Sequence, residues 1–363
     1  VFKLKVAIGI FASAVSVSAA YAQSSVVLFG HFDTSLAFTQ NGGGNVSVSM
    51  NSGNHIGAGF GLMGSEDLGG GLKTVFKVEN GFGANDGTFA SSGSTPRMFG
   101  RQAWIGLSKD NMGTLSFGRQ YDFMLTGLCK YASGCLLGAP FDRAGTSIIS
   151  GLLGGNGSNP DIDRLGGARV DNSIRYVSPS FGGSGLSFGA MYGLGGAPGS
   201  LTQGSTSSFY LGYAANPIDL GIAYTSRQDP TSHARYSNVA LGGSYEVGKF
   251  TLNALLTQAR WSATGDTVSG IDFNFRYQFN GAASLLVGYT FSSPNHGLSN
   301  QLMLGKRHTF GTEVDYFLSK RTDLYASVAY QKATEGQKAQ FLFMAPSRAN
   351  WAAMTQVGIR HRF

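Results

Sequence analysis

Met354-Thr-Gln-Val-Gly-Ile-Arg-His-Arg-Phe363 closes the sequence. Counting back from Phe363 by twos gives His361, Ile359, Val357 and Thr355; the other parity gives Arg362, Arg360, Gly358 and Gln356. A side-chain period of two puts these sets on opposite faces of one β-strand. One face is largely apolar and ends in an aromatic ring, while the other carries two arginines. In a soluble sandwich the apolar face would meet a second sheet. In a membrane barrel it would meet lipid, with the polar face lining a water-filled lumen. The rest of the sequence favours the barrel.

The same alternation recurs upstream. Ile271-Asp-Phe-Asn-Phe-Arg-Tyr-Gln-Phe279 sets Ile271, Phe273, Phe275, Tyr277 and Phe279 against Asp272, Asn274, Arg276 and Gln278. A helix cannot sort that pattern, because its period is 3.6. A turn at Asn280-Gly281 follows, and Leu285, Val287, Tyr289 and Phe291 repeat the outward face. Comparable strands are expected at 26–38, 55–65, 72–82, 99–108, 114–121, 171–178, 186–194 and 207–214. The series continues at 220–228, 237–246, 250–260, 271–279, 284–292, 307–317, 323–332 and 354–363, sixteen in all. Short turns, such as Glu66–Gly71 and Ser108–Gly113, alternate with long Gly- and Ser-rich connections, as short periplasmic turns and long outer loops do in membrane barrels. Residues 122–168 form the longest connection, and a connection of that length is usually functional or disordered. No linker or composition shift divides the chain, so one domain is expected over 23–363.

Composition agrees. The chain holds 54 Gly, 26 Phe and 15 Tyr among 363 residues, with mean hydropathy near zero. Glycine is roughly double its usual share of about 7%, and no G-X-Y period makes it collagen. No segment after the amino-terminal region approaches the roughly 18 apolar residues of a membrane helix. At that front end, Lys3 and Lys5 precede the apolar run Val6–Val17 and the small residues of Ala20-Tyr21-Ala22. That order reads as a secretory signal peptide over 1–22, cleaved before Gln23. Cys129 and Cys135 are the two cysteines. An even count in an exported chain favours a disulfide, and with no histidine near them neither metal nor cofactor is expected.

Several motifs, in order along the chain, resemble the general porins of Gram-negative outer membranes. They are Ser24-Ser-Val-Val-Leu-Phe-Gly-His-Phe-Asp33, Gly64-Ser-Glu-Asp-Leu-Gly-Gly-Gly-Leu-Lys73 and Phe99-Gly-Arg-Gln-Ala-Trp-Ile-Gly-Leu107. Phe117-Gly-Arg-Gln-Tyr-Asp122, Asn172-Ser-Ile-Arg-Tyr-Val-Ser-Pro179 and Val357-Gly-Ile-Arg-His-Arg-Phe363 complete the set. The resemblance implies an all-β, sixteen-stranded antiparallel transmembrane barrel, a homotrimer, with the third outer loop (122–168) folded into the lumen as a constriction. It also implies a water-filled channel in the outer membrane, in contact with lipid and lipopolysaccharide. Phe363 resembles the signal read by the barrel-assembly machinery. The family usually carries an arginine in the strand before Ser65-Glu66-Asp67; here that position is Gly59, with His55 near it.

Parity then selects the pore side chains. Lys73, Lys77 and Glu79 oppose Leu72, Phe76 and Val78; Asp33 and His31 oppose Leu28 and Phe32; Arg175 opposes Ile174 and Tyr176. If Trp104 faces out, Arg101 faces in with Ala103 and Ile105. Arg or Lys at mid-depth on the lipid face costs ~2–4 kcal/mol, so these charges belong on the lumen side. Arg119 groups with Leu115 and Phe117: either a bulge re-aims it or it sits at a subunit contact. The inward excess of Arg101, Arg175, Lys73 and Lys77 over Asp33 and Glu79 predicts a weak preference for small anions. Asp122, Asp142, Asp161 and Asp163 in the long loop, set against Lys130, Arg143 and Arg164, moderate it.

The alternative reading is an outer-membrane barrel enzyme or adhesin acting through its outer loops. His296, His308, Asp266 and loop serines could be arranged as a triad, yet no G-x-S-x-G elbow selects them. Gly57-Ala-Gly59-Phe-Gly61 lacks the lysine and helix of a phosphate loop and reads as strand. The basic residues are dispersed along the chain, which argues against nucleic-acid binding.

Overall fold

The computed structural model describes residues 24–42, 44–53, 55–89, 97–138, 169–295, 306–336, 338–341 and 347–363. The expected signal peptide (1–22) with its cleavage before Gln23, His296, and residues 139–168 of the long connection lie outside the described residues. So do Asp142, Arg143, Asp161, Asp163 and Arg164.

Seventeen strands occur among the described residues. They are β1 (Ser25–Gly42), β2 (Asn45–Ser52), β3 (Gly59–Gly69), β4 (Leu72–Gly81), β5 (Gln102–Lys109), β6 (Gly113–Tyr121), β7 (Arg169–Val177), β8 (Leu186–Gly193) and β9 (Thr206–Ala215). Then come β10 (Ile218–Gln228), β11 (Arg235–Val247), β12 (Phe250–Trp261), β13 (Thr267–Gln278), β14 (Ala283–Asn295), β15 (Arg307–Phe317), β16 (Thr322–Ala333) and β17 (Trp351–Arg362). From β3 to β17 each strand pairs antiparallel with the next. β17 returns to β1 from His31↔Arg362 to Gln40↔Ala353, which closes the ring.

The other edge of β1 is shared. Ser25–His31 pair with β3, and residues 34–42 pair with β2. The two short strands fill one barrel position, β2 ending at Ser52 and β3 starting at Gly59. Seventeen strands therefore occupy sixteen positions, the number read from the sequence. The expected strand 55–65 is corrected: it begins at Gly59, and β2 precedes the break. The break has a local cause, since the His55 and Ile56 N–H groups donate to Asp33 Oδ2 at 2.8 and 2.7 Å rather than to a strand.

Alternation sorts the faces as expected. In β17, Val357 and Ile359 are exposed while Gln356 and Arg360 are buried. In β16, Leu324, Val328 and Tyr330 face out, and Asp323, Ser327 and Gln331 are sealed inside. Large apolar side chains outside and polar ones inside invert the order of a soluble core and match a lipid-facing barrel. At the seam, Gly30 and Phe363 exchange both backbone hydrogen bonds, each 3.0 Å. The packed apolar clusters lie inside the ring, one where residues 122–132 meet the wall and one where Leu137 joins Ala339 and Phe341 against it.

Candidate functional site

The first part of the site is the inner face of β4 with the bend before β5. Glu79 Oε2 lies 3.0 Å from Lys77 Nζ, and Glu79 Oε1 lies 3.3 Å from Arg101 Nη1. Gln102 Nε2 donates to Glu79 Oε2 at 2.8 Å. Arg101 also donates through Nη2 to the carbonyls of Gly57 (2.6 Å) and Ala58 (2.9 Å), and its Nη1 is 3.1 Å from His31 Nε2. Its guanidinium thus ties the inward fold of 55–58 to the wall. The fork of donors that makes arginine a good anion clamp is largely used within the protein.

The sequence reading placed Arg101 inside for the wrong reason. Ile105 and Leu107 are exposed on the outer face, and Trp104 faces in, where its Nε1 donates to Gln102 Oε1 at 3.1 Å. β5 begins only at Gln102. Phe99 has φ +57° and a bend follows it, so Arg101 escapes the parity of the strand and still reaches Glu79.

A second polar cluster lies on the inner faces of β1, β15, β16 and β17. Arg360 pairs with Asp315 (3.1 Å) and Asp323 (2.6 Å), and Arg362 reaches Asp323 at 3.2 Å. Asp33 accepts from Tyr325 Oη at 2.7 Å as well as from the backbone N–H groups of His55 and Ile56. His55 Nδ1 stands 2.8 Å from Glu313 Oε1. His55 therefore joins the β15 wall and does not stand in for an arginine beside Glu79. Buried charges are costly unless paired and hydrogen-bonded. Arg360 meets that demand with Asp315 and Asp323, whereas both Glu313 oxygens lack a hydrogen-bond partner among the described residues and Glu313 has only its close approach to His55. The sequence reading passed over Glu313, Asp315 and Asp323, although Glu313 and Asp315 alternate with the exposed Val314 and Tyr316.

The third part is the start of the long connection, laid against the inner wall. α1 (Phe123–Leu128) is capped by Asp122, whose Oδ1 accepts the Leu125 N–H at 3.1 Å. Arg175 of β7 stacks over the Phe123 ring, 4.4 Å from its centroid, and donates to Thr126 Oγ1 at 3.1 Å. Further on, Tyr131 Oη and Lys130 Nζ both reach Asp219 Oδ1, at 2.6 and 2.7 Å. The Ser133 N–H donates to Asp272 Oδ2 at 3.0 Å, and Asn274 Nδ2 donates to the Tyr131 carbonyl at 2.9 Å. Cys129 and Cys135 are joined by a disulfide, with Cα atoms 5.6 Å apart. The berth is cut by inward-facing glycines: Phe123 lies over Gly189, Leu128 over Gly221, Tyr131 over Gly242 and Leu137 over Gly288. Inward-parity glycines at these spacings were the unread signal of the docked segment.

Not every expected pore residue joins these groups. Lys73 is on the inner face, but six residues from Glu79 along β4, about 20 Å at the ~3.4 Å rise of a strand. Arg119 faces outward. A register shift opposite Asp171 and Asn172 leaves it pairing with Asp171 and donating through Nε to the Gly100 carbonyl at 2.7 Å. Arg97 shares Asp171 at 3.0 Å. Of the two sequence alternatives for Arg119 the bulge is real, yet it does not turn the side chain inward. His308 also faces outward, with its Nδ1 2.8 Å from Tyr289 Oη.

A closed antiparallel barrel with an apolar outside and a charge-lined interior is a transmembrane channel scaffold. The model of the Gram-negative porin family matches residues 9–336. An outer membrane porin protein of Bordetella pertussis is 30% identical, over 95% of this chain and 96% of its own length. Outer membrane porin protein 32 of Delftia acidovorans is 29% identical over 95% and 96%. Among solved structures, an anion-selective porin from Comamonas acidovorans superposes with TM-score 0.75 at 22% identity, covering 94% of this chain and 100% of that one. OmpT of Vibrio cholerae in its trimer form gives TM-score 0.65 at 17% identity, over 94% and 99%. The chain belongs to the Gram-negative porin family. It is a channel of the outer membrane and not an enzyme.

Proposed function

We propose that this porin passes small hydrophilic solutes, prefers small anions weakly, and works as a homotrimer in which the 122–168 connection narrows the lumen. One asymmetry supports the anion preference. In most inner-face ion pairs among the described residues the base is more exposed than the acid it binds. Lys77 is 25% exposed against 9% for Glu79, and Arg362 41% against 0% for Asp323. Paired charges so arranged present their positive ends to water, and in a narrow lumen the field of such groups sets ion preference. The preference is weak because each exposed base keeps its carboxylate beside it. The trimer form of the Vibrio relative supports the assembly. So does an apolar groove on the outer face of β1, β2 and β15–β17, lined by Leu36, Met50, Val314 and Val357 among others.

The test is the reversal potential across a planar bilayer under a KCl gradient, for wild type and Lys77→Glu. Anion preference should appear at 0.1 M salt and fade toward 1 M, as the Debye length shortens from ~10 to ~3 Å. Lys77→Glu should shift the potential toward cations. Cation preference in the wild type would overturn the reading.

A further inference from the structure

The inner face of a water-filled barrel is polar as a rule, and one patch of this wall is not. Phe29 of β1 pairs with Gly61, which pairs with Glu79; Met63 of β3 pairs with Lys77, which pairs with Trp104 of β5. Directly paired residues share a face, so Phe29, Met63 and Trp104 stand together on the lumen side. Met63 is 43% exposed, and Phe29 and Trp104 are partly exposed. The polar end of Trp104 is taken by Gln102, which leaves the indole as apolar surface. Lys77 rises among these side chains, its Nζ 4.7 Å from the centroid of the Phe29 ring. Its carboxylate partner, Glu79, also serves Arg101, so one acid is shared by two cations and a positive charge remains over.

We propose that this patch is a subsite for organic anions with a flat apolar body, of which aromatic monocarboxylates are the fitting class. The proposal rests on the channel reading above and names a solute class for it. The ring lies on Phe29, Met63 and Trp104, where aromatic and thioether contacts add to area burial. The carboxylate meets Lys77 on the side away from Glu79. Acetate gains only the charge contact and benzyl alcohol only the ring contact. Benzoate gains both.

The assay follows chloride current through the purified porin in planar bilayers during titration with benzoate, acetate or benzyl alcohol. Benzoate should block saturably, at a concentration about tenfold below that of acetate, and benzyl alcohol should not block. Trp104→Ala and Lys77→Gln should each bring the benzoate value up to that of acetate. Met63→Ser, a smaller change, should move it partway and carries the same reading should Trp104→Ala fail to assemble. Equal block by benzoate and acetate in the wild type, or benzoate block indifferent to these substitutions, would overturn the subsite alone. Absence of any chloride current would sink the channel reading and the subsite with it.

Discussion

The guanidinium of Arg101 occupies the space that a side chain at Gly59 would need: a Cβ built there would stand 2.6 Å from Nη1. The porin resemblance implies an arginine in this strand; Gly59 stands there instead, and the Arg101 guanidinium from the next hairpin fills the place. The Asn80 carbonyl lies 2.8 Å from the same point and cannot yield as a flexible side chain would. Gly59→Val should therefore destabilise the barrel by about 1–3 kcal/mol, the range for overpacking. It should also free Arg101 from Gly57 and Ala58. A lower temperature for the heat-induced mobility change on denaturing gels would show the first effect, and an altered single-channel conductance the second. An unchanged protein by both measures would remove Arg101 from the brace.

The barrel was legible in the sequence because lipid outside and water inside impose a period of two that survives averaging; Ile271–Phe279 and the closing strand carry it undiluted. Three things were not legible. The inward fold at 55–58 follows from Asp33 accepting two backbone N–H groups, a contact distant in sequence that no local pattern announces. The inward position of Arg101 depends on a positive φ at Phe99, which breaks the parity used to infer it. The charge on the β15–β17 wall is spent internally, through Arg360 on Asp315 and Asp323, so counting inward residues overstates what an ion meets.

Gly242 gives the docked segment one of its closest seats, because a Cβ there would collide with the Tyr131 ring. Gly242→Val should lift Tyr131 and its neighbours away from Asp219 while leaving the strand pairing of β11 intact. The expected result is a changed, noisier conductance with wild-type heat-modifiability. Identical current traces would mean that the seat does not set the channel's width.

The Cys129–Cys135 bridge closes a loop so short that chain-entropy scaling assigns it only about 2 kcal/mol. Its effect is local, holding Lys130 and Tyr131 at Asp219. Intact mass of protein from outer membranes, alkylated with and without prior reduction, should show two thiols only after reduction. The same spectrum tests cleavage before Gln23. Reduction should increase current noise without dissociating the barrel, and free thiols in the unreduced sample would refute the bridge.

Asp122 makes the docked segment sensitive to pH. Burial pushes its carboxyl up to about 7, against the Leu125 N–H and the Arg175 charge, which favour the ionised form. A carboxyl raised on folding stabilises the docked state least when ionised. The docked segment should thus be firmest below about pH 4 and loosen as pH rises toward 7, then change little above that. Asp122→Asn keeps an amide oxygen to cap α1 but cannot ionise. Proteolytic nicking of residues 122–138, or current noise, measured from pH 5 to 8 should rise with pH in the wild type and stay flat in Asp122→Asn. A matching rise in the variant would move the pH dependence to another group, and a fall with pH in the wild type would contradict the sign argued here.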